Sequence, residues 1–215
     1  RARALAEGAA PPLGAVLKLT KNLPIAGGIG GGSADAAATL HLLNELWGLG
    51  ADGAELMEIG LGLGSDIPAC VLNRSALMSG RGEGIAAGPA LPALPIVLCN
   101  PGVPVPTGPV FEALGQRRGA SMPPLPDAIA DARHLAETLK GLGNDLESPA
   151  VKIAPAIGEA LYALGAQDGA LLARMSGSGA TCFALFADDE KAEAAALALK
   201  RARPRWWIAA TRLDC

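Results

Sequence analysis

Hydrophobic positions along the chain change from strand-like to helix-like spacing around a dense glycine cluster. Residues 14–20 alternate between apolar and polar positions and predict a strand, which leads into a proline and then the glycines of residues 27–32. The following segment is rich in helix formers, with Leu40, Leu43 and Trp47 at helical spacing, and it ends on glycines. The cluster is therefore predicted to lie between a strand and a helix.

The rest of the chain mixes helices and strands without a strict βαβ rhythm. Helices are predicted over 52–61, 110–116, 127–142, 149–164 and 189–203. Strands are predicted as a pair within 76–87 around a glycine turn, and over 96–101, 170–177, 181–187 and 206–213. The proline-rich segment 89–95 is a plausible link, so we place one domain at residues 1–94 and a second at 95–215. This mixture favours an α+β fold with two layers.

Composition and charge exclude several classes of protein. Half of the 215 residues are apolar, which is sufficient for a core, and the net charge is −3 without a basic cluster, which argues against nucleic-acid binding. The four cysteines are scattered and the chain has two histidines, which argues against a zinc site or a disulfide framework. Prolines interrupt the uncharged stretch 84–111, so a membrane span is not expected, and we expect a cytoplasmic protein.

The strongest chemical signal is the segment PIAGGIGGGSADAAATL at residues 24–40. Glycines allow the backbone to come close to an anion, successive N–H groups point inward, and the helix dipole adds roughly half a positive charge at its start. The pattern predicts a phosphate-binding loop, although it lacks the GK[ST] of a Walker motif. A flexible turn or close helix packing is the alternative explanation.

Three segments together resemble the GHMP kinases, the family of galactose, homoserine, mevalonate and phosphomevalonate kinases. The glycine segment resembles the family's central motif, LGSDIPACV at 63–71 resembles the stretch with the catalytic aspartate, and ARMSGSGATCFALF at 173–186 resembles the third motif. The resemblance implies a two-domain α+β GHMP kinase fold whose first strands are not among these residues, with a ferredoxin-like α/β sandwich as C-terminal domain. It also implies a small-molecule kinase that uses ATP and Mg²⁺.

The resemblance assigns site residues to each motif. It implies that Asp66 is the general base that takes the proton of the acceptor hydroxyl. The residues it implies for ATP are Lys21, Pro24, Ile25, Ala26, Gly27, Gly28, Ile29, Gly30, Gly31, Gly32, Ser33, Ala34 and Asp35. The residues it implies for the acceptor, a small molecule with a cytidine diphosphate group, are Thr107, Phe111, Gly177, Ser178, Gly179 and Ala180.

Each assignment has a structural alternative. Asp66 could be an ordinary helix N-cap, Thr107 could cap the helix that follows it, and Phe111 could belong to the core. Lys21 could be a solvated surface charge, and residues 177–180 could be a turn that leads into a strand. No catalytic role is assigned to the two histidines.

The chain departs from the family pattern at two points. Ala34 stands where the family usually has a second serine. The family's P-A-K-x-N strand, whose lysine partners the aspartate, and a nearby Tyr-His pair do not occur in these residues. We expect them on a preceding segment, and we expect little turnover from residues 1–215 alone. Another kinase of the family, of mevalonate or homoserine type, and an inactive fragment that still binds nucleotide stay open, as does the oligomeric state.

Overall fold

The computed structural model describes residues 14–25, 27–115 and 122–214. These residues form two compact units. The first contains residues 14–22 and Gly30–Gly88, and the second contains Leu23–Ile29 together with the chain from Pro89 onward. The glycine cluster is thus divided between the two units along the chain.

The predicted domain boundary after residue 94 stays a prediction, but the chain passes from the first compact unit to the second earlier, between Gly88 and Pro89. The first unit ends at Gly88, because Ala90 already forms a bridge with Ala128 and accepts a hydrogen bond from the Ile129 N–H within the second unit. The proline-rich link therefore belongs to the second unit.

The first unit consists of three helices and one hairpin. In chain order these are α1 (Gly31–Trp47), α2 (Gly53–Leu61), α3 (Ile67–Leu72), β1 (Ala76–Ser79) and β2 (Gly84–Ala87). A capping box starts α2: the Asp52 carboxylate accepts from the N–H of Glu55, whose own carboxylate accepts from the Asp52 N–H. The core of this unit joins the three helices through Ala37, Leu40, Leu56, Ile67 and Val71.

The second unit is built on a four-stranded antiparallel sheet. Its elements are β3 (Leu94–Asn100), α4 (Thr107–Leu114), α5 (Ala132–Lys140), α6 (Glu147–Ile153), α7 (Ala156–Gly165), β4 (Ala170–Met175), β5 (Cys182–Phe186), α8 (Asp189–Ala202) and β6 (Trp207–Leu213). The strand order is β4-β5-β3-β6, with α7 between β3 and β4 and α8 between β5 and β6. This is the split βαβ topology of a ferredoxin-like sandwich, so the predicted fold class is confirmed.

The period of two along the central strands divides the core between the two faces of the sheet. Val97 and Cys99 of β3 pack in the core that contains residues of α7 and α8. Ile96 of β3 and Leu185 of β5 pack in a second core with residues of α5. The sheet therefore carries helices on both faces, and α5 adds to the two predicted layers.

Two secondary-structure predictions were wrong. Residues 14–20 do not form a strand: they are exposed, and within the described residues no neighbouring strand pairs with them. The helix predicted over 149–164 is two helices, because Pro155 starts α7 and cannot continue the hydrogen-bond ladder of α6. None of the helices in the described ranges has the length and apolar character needed to cross a membrane.

Candidate active site

The N-terminus of α1 has free backbone donors and no side-chain cap. Gly30 is the N-cap and provides no side chain, and the first turn contains no acidic residue. The Ala34 N–H already donates to the Gly30 carbonyl at 2.8 Å, so the N–H groups of residues 31–33 are the ones that the helix itself leaves without acceptors. An anion at this position would find these donors together with the positive end of the helix dipole.

The glycines of the cluster fall into a packed group and an open group. A Cβ added to Gly28, whose φ is +73°, would lie 2.8 Å from the Ser176 carbonyl and would overlap the Gly179 carbonyl. A Cβ at Gly30 or Gly32 would meet no atom within 4 Å. Close packing therefore requires glycine at position 28, whereas the space beside Gly30 and Gly32 is available for a ligand.

In the second unit, the first part of the cluster is hydrogen-bonded to the third glycine motif. The Thr181 N–H donates to the Gly27 carbonyl at 3.0 Å, and the Ser176 hydroxyl donates to the Gly28 carbonyl at 2.9 Å. A Cβ at Gly177 would lie 2.8 Å from the Gly28 carbonyl. The structure thus brings two motifs together that are far apart in sequence, while Ala26 lies outside the described residues.

Asp66 precedes α3 in the first unit, and its side chain does not cap that helix. It is exposed and has helical backbone angles, and among the described residues its carboxylate accepts only from the Ser65 hydroxyl, at 3.1 Å. Burial, and next the charge of Asp66, raises the pKa of the Cys70 thiol one turn further along. Asp66 thus occupies the N-cap position of α3, but its side chain makes no capping hydrogen bond, and its carboxylate is exposed.

Lys21 and Asp35 form an ion pair in the first unit. The Lys21 Nζ lies 2.5 Å from an Asp35 carboxylate oxygen, and both side chains are about one-third exposed (29% and 34%). A partly exposed pair of this kind contributes about 0.2–1 kcal/mol to stability. Lys21 is thus a surface charge with a partner, and it lies beside the helix that begins at the glycine cluster.

Two residues predicted for the acceptor lie together in the second unit. The hydroxyl of Thr107, the first residue of α4, is 3.1 Å from the hydroxyl of Ser178. Phe111, one turn later, is 52% exposed and does not belong to the core. A hydroxyl pair next to an exposed aromatic ring can hydrogen-bond the polar edge of a base or sugar and stack on its face.

Sequence reasoning missed polar residues that hold the third motif in place. Asn144 donates to the Met175 carbonyl at 3.1 Å and to the Gly177 carbonyl at 2.8 Å, and the Asn100 side chain donates to the Thr181 hydroxyl at 2.9 Å. The only available signal was position: Asn100 directly follows a buried apolar run and precedes a Pro-Gly turn. Their partners are carbonyls and a hydroxyl distant in sequence, so spacing alone could not reveal them.

Comparison with family models finds two matches that together cover most of the chain. Residues 2–74 match the model of the GHMP kinases N terminal domain, and residues 117–205 match that of the GHMP kinases C terminal domain. The first match includes α1 and Asp66, and the second includes Ser176 and Thr181.

Curated proteins with high identity are named 4-diphosphocytidyl-2-C-methyl-D-erythritol kinase. The protein from Methylobacterium radiotolerans is 54% identical over 200 residues, which is 91% of this chain and 68% of that protein. The protein from Cereibacter sphaeroides is 51% identical over 205 residues, which is 93% of this chain and 71% of that protein.

Solved structures resemble the fold over about nine-tenths of the chain. A crystal structure of 4-(cytidine 5'-diphospho)-2C-methyl-D-erythritol kinase matches with a TM-score of 0.72 and 36% identity, covering 91% of this chain and 69% of that one. Homoserine kinase from Cytophaga hutchinsonii matches with a TM-score of 0.67 at 18% identity, covering 90% and 69% of the two chains. At that identity the second match concerns the fold alone.

Proposed function

The chain belongs to the GHMP kinase family, and we propose that it transfers the terminal phosphoryl group of ATP to the 2-hydroxyl of 4-diphosphocytidyl-2-C-methyl-D-erythritol. This reaction is a step of non-mevalonate isoprenoid biosynthesis. The observation that carries the proposal is the identity of about half of all aligned positions with kinases named for this substrate, over more than nine-tenths of the chain. The mevalonate- and homoserine-type alternatives have no such support, because those structures match at 17% and 18% identity.

The start of α1 fits the phosphates of ATP. The N–H groups of residues 31–33 lack a side-chain cap, and the positions beside Gly30 and Gly32 are open. Catalysis of phosphoryl transfer depends mainly on positioning the reactants and stabilising charge. Backbone donors at a helix N-terminus provide both for a phosphate group. We assign the nucleotide's phosphates to the N–H groups of residues 31–33. Lys21, which pairs with Asp35, would add a positive charge beside them.

Mg²⁺ would neutralise charge on the phosphate oxygens as the terminal group is transferred. Within the described ranges, no three side chains from His, Cys, Asp and Glu converge into a ready cation site. In kinases, Mg²⁺ usually keeps several water ligands and is bound by phosphate oxygens together with one or two protein ligands, so such a cluster is not required. The Ser33 hydroxyl, in the first turn of α1, is an oxygen donor of suitable chemistry.

Asp66 is assigned the role of general base. Its carboxylate is exposed and engaged only by the Ser65 hydroxyl, so at least one oxygen is available to accept the proton of the acceptor hydroxyl. Thr107, Ser178 and the exposed ring of Phe111 are assigned to the cytidine end of the acceptor. In this assignment Asp66 transfers the proton, and the other three residues recognise the acceptor.

A substrate panel with a matched pair of variants tests the proposal. ADP formation is measured with Mg·ATP and each of the cytidine compound, mevalonate and homoserine, in a protein that also carries the P-A-K-x-N strand expected from the family pattern; we expect turnover with the first. Asp66→Asn should lower the rate by about 10²- to 10⁴-fold, because the amide cannot accept the proton. Asp52→Asn is the control, since Asn caps a helix about as well as Asp and should leave the rate unchanged.

The possible outcomes separate the alternatives. Turnover with mevalonate or homoserine instead of the cytidine compound would contradict the proposed acceptor. An Asp66→Asn variant that keeps more than about a tenth of the rate would remove Asp66 from the mechanism. Binding of Mg·ATP by residues 1–215 alone, without ADP formation from any acceptor, would support the inactive fragment.

A further inference from the structure

Asn100 and Thr181 form a buried polar pair that contacts the first part of the glycine cluster in the second unit. Asn100, the last residue of β3, is 4% exposed, and Thr181 is completely buried. The Asn100 amide donates to the Thr181 hydroxyl at 2.9 Å, and its carbonyl oxygen accepts from the Gly102 N–H at 2.8 Å. These are the two buried polar residues among those that the structure describes.

Thr181 contacts the glycine cluster with both its backbone and its side chain. Its N–H donates to the Gly27 carbonyl at 3.0 Å. Its hydroxyl lies 3.1 Å from the position that a Cβ of Gly27 would take, so Thr181 packs closely against Gly27. The bond from Ser176 to the next carbonyl, that of Gly28, fixes the same segment at a second point. Two successive peptide groups of the predicted phosphate-binding segment are therefore held in one orientation.

The other end of the Asn100 side chain acts on a different segment. Its carbonyl oxygen holds the Gly102 N–H, in the turn that leads to Thr107. One buried amide thus contacts both Thr181, whose N–H holds the Gly27 carbonyl, and the start of the loop assigned to the acceptor. A phosphoryl transfer depends on the relative placement of its two reactants to within a fraction of an ångström.

Burial of this pair is not explained by stability alone. Replacing both partners of a buried hydrogen bond with apolar groups of the same shape is often nearly neutral for stability, whereas a satisfied buried network specifies one geometry. We propose that Asn100 and Thr181 are positioning residues, which orient the peptide groups of residues 27–28, directly before the N–H groups assigned to the phosphates, and link them to the acceptor loop. The inference rests on the proposed function, because it assumes that the start of α1, which residues 27–28 lead into, binds the phosphates of ATP.

Calorimetric titration of the chain with Mg·ATP, without an acceptor, tests the inference. Thr181→Val keeps the shape but removes the hydroxyl, and we expect ATP affinity to fall about five- to tenfold, the effect of one neutral hydrogen bond. Thr181→Ser keeps the hydroxyl and should bind within about twofold of the unmodified chain. Thr138→Val is the matched control, because it removes a hydroxyl that bonds a helix carbonyl in α5.

A second variant tests the link between the two residues. Asn100→Leu should lower ATP affinity by about the same factor as Thr181→Val, and the double variant should be no weaker than either single one, because both changes break one connection. If Thr181→Val fails to fold, Ser176→Ala tests the same segment from its other anchor, at a half-buried position. Ser176→Ala should also weaken ATP binding severalfold while the protein stays folded.

Each outcome decides the inference. The inference is overturned if folded Thr181→Val binds ATP with unchanged affinity. If that variant does not fold, unchanged affinity in folded Ser176→Ala overturns it instead. An equal loss of affinity in the Thr138→Val control also overturns it. Lower thermal stability of Thr181→Val with unchanged ATP affinity shows a purely structural pair and also overturns it. If the unmodified chain does not bind Mg·ATP, the proposed function fails, and this inference fails with it.

Discussion

Gly32 and Gly53 form a natural pair for separating ligand binding from helix stability. Gly32 is the second residue of α1 and Gly53 is the first residue of α2, and a Cβ at either position would meet no atom within 4 Å. Both helices can therefore accept alanine without a steric cost. The two positions differ in what precedes them: α2 has the Asp52 capping box, whereas α1 has open donors.

The expected magnitudes follow from this difference. Alanine is favoured over glycine by up to about 1 kcal/mol within a helix, so neither substitution should lower the free energy of unfolding. A helical Cβ tilts towards the N-terminus, so a methyl at position 32 projects to the side where a phosphate would contact residues 31–33. Loss of one hydrogen bond to a charged group costs about 1.5–3 kcal/mol. Gly32→Ala should therefore weaken ATP binding by roughly 10- to 100-fold.

The assay is titration calorimetry with Mg·ATP, with thermal unfolding measured on the same samples. Gly53→Ala should bind ATP like the unmodified chain. A third variant, Gly28→Ala, should instead lower the unfolding temperature, because its Cβ would overlap the Gly179 carbonyl and its φ is +73°. Unchanged ATP affinity in a folded Gly32→Ala protein would refute the assignment of the phosphates to the start of α1.

Three further predictions concern other parts of the molecule. Gly82→Ala should slow turnover more than it changes ATP affinity, because a Cβ there would overlap the carbonyl of Ser65, next to the proposed base; kinetics that match the unmodified enzyme would contradict this. Burial raises the pKa of Cys99 and Cys182 from 9.0 to about 12. As the pH rises, the unfolded chain loses these protons before the folded one does. The free energy of unfolding, measured by denaturant titration, should therefore fall between pH 9 and 12 by roughly 1.4 kcal/mol per pH unit for each thiol. In Cys99→Ala it should fall less steeply, because one of the two thiols is absent. Asp52→Ala should cost about 1 kcal/mol in the same titration through loss of the α2 cap, and an unchanged midpoint would contradict it.

Most elements of the fold could be predicted because their signals are local. The hairpin of β1 and β2, the helices α2 and α8 and the strands of the second unit lie close to their predicted ranges, since periodicity and turn residues are properties of short segments. The failures involve nonlocal conditions or a single residue. The alternation of residues 14–20 describes a strand only when a neighbouring strand pairs with it, and Pro155 divides one apolar pattern into two helices.

The site was less predictable than the fold. The glycine count indicated a flexible backbone near an anion, but it could not distinguish Gly28, which is closely packed, from Gly32, which is open. That distinction depends on Ser176 and Gly179, which are remote in sequence. Asn100 carries no recognisable motif, because its importance comes from the buried hydroxyl that it meets.

The distance along the chain between the glycine cluster and its anchors has a consequence for biosynthesis. The hydrogen bond from Ser176 to the Gly28 carbonyl joins residues 148 positions apart, and Leu23–Ile29 belongs to the same compact unit as the chain after Pro89. A contact of such long range forms late, because the intervening loop must close first. During translation the cluster therefore emerges from the ribosome long before its partners, and it acquires these contacts only after Ser176 and Thr181 have been synthesised. A nascent or prematurely terminated chain would carry the glycine segment without the contacts that shape it.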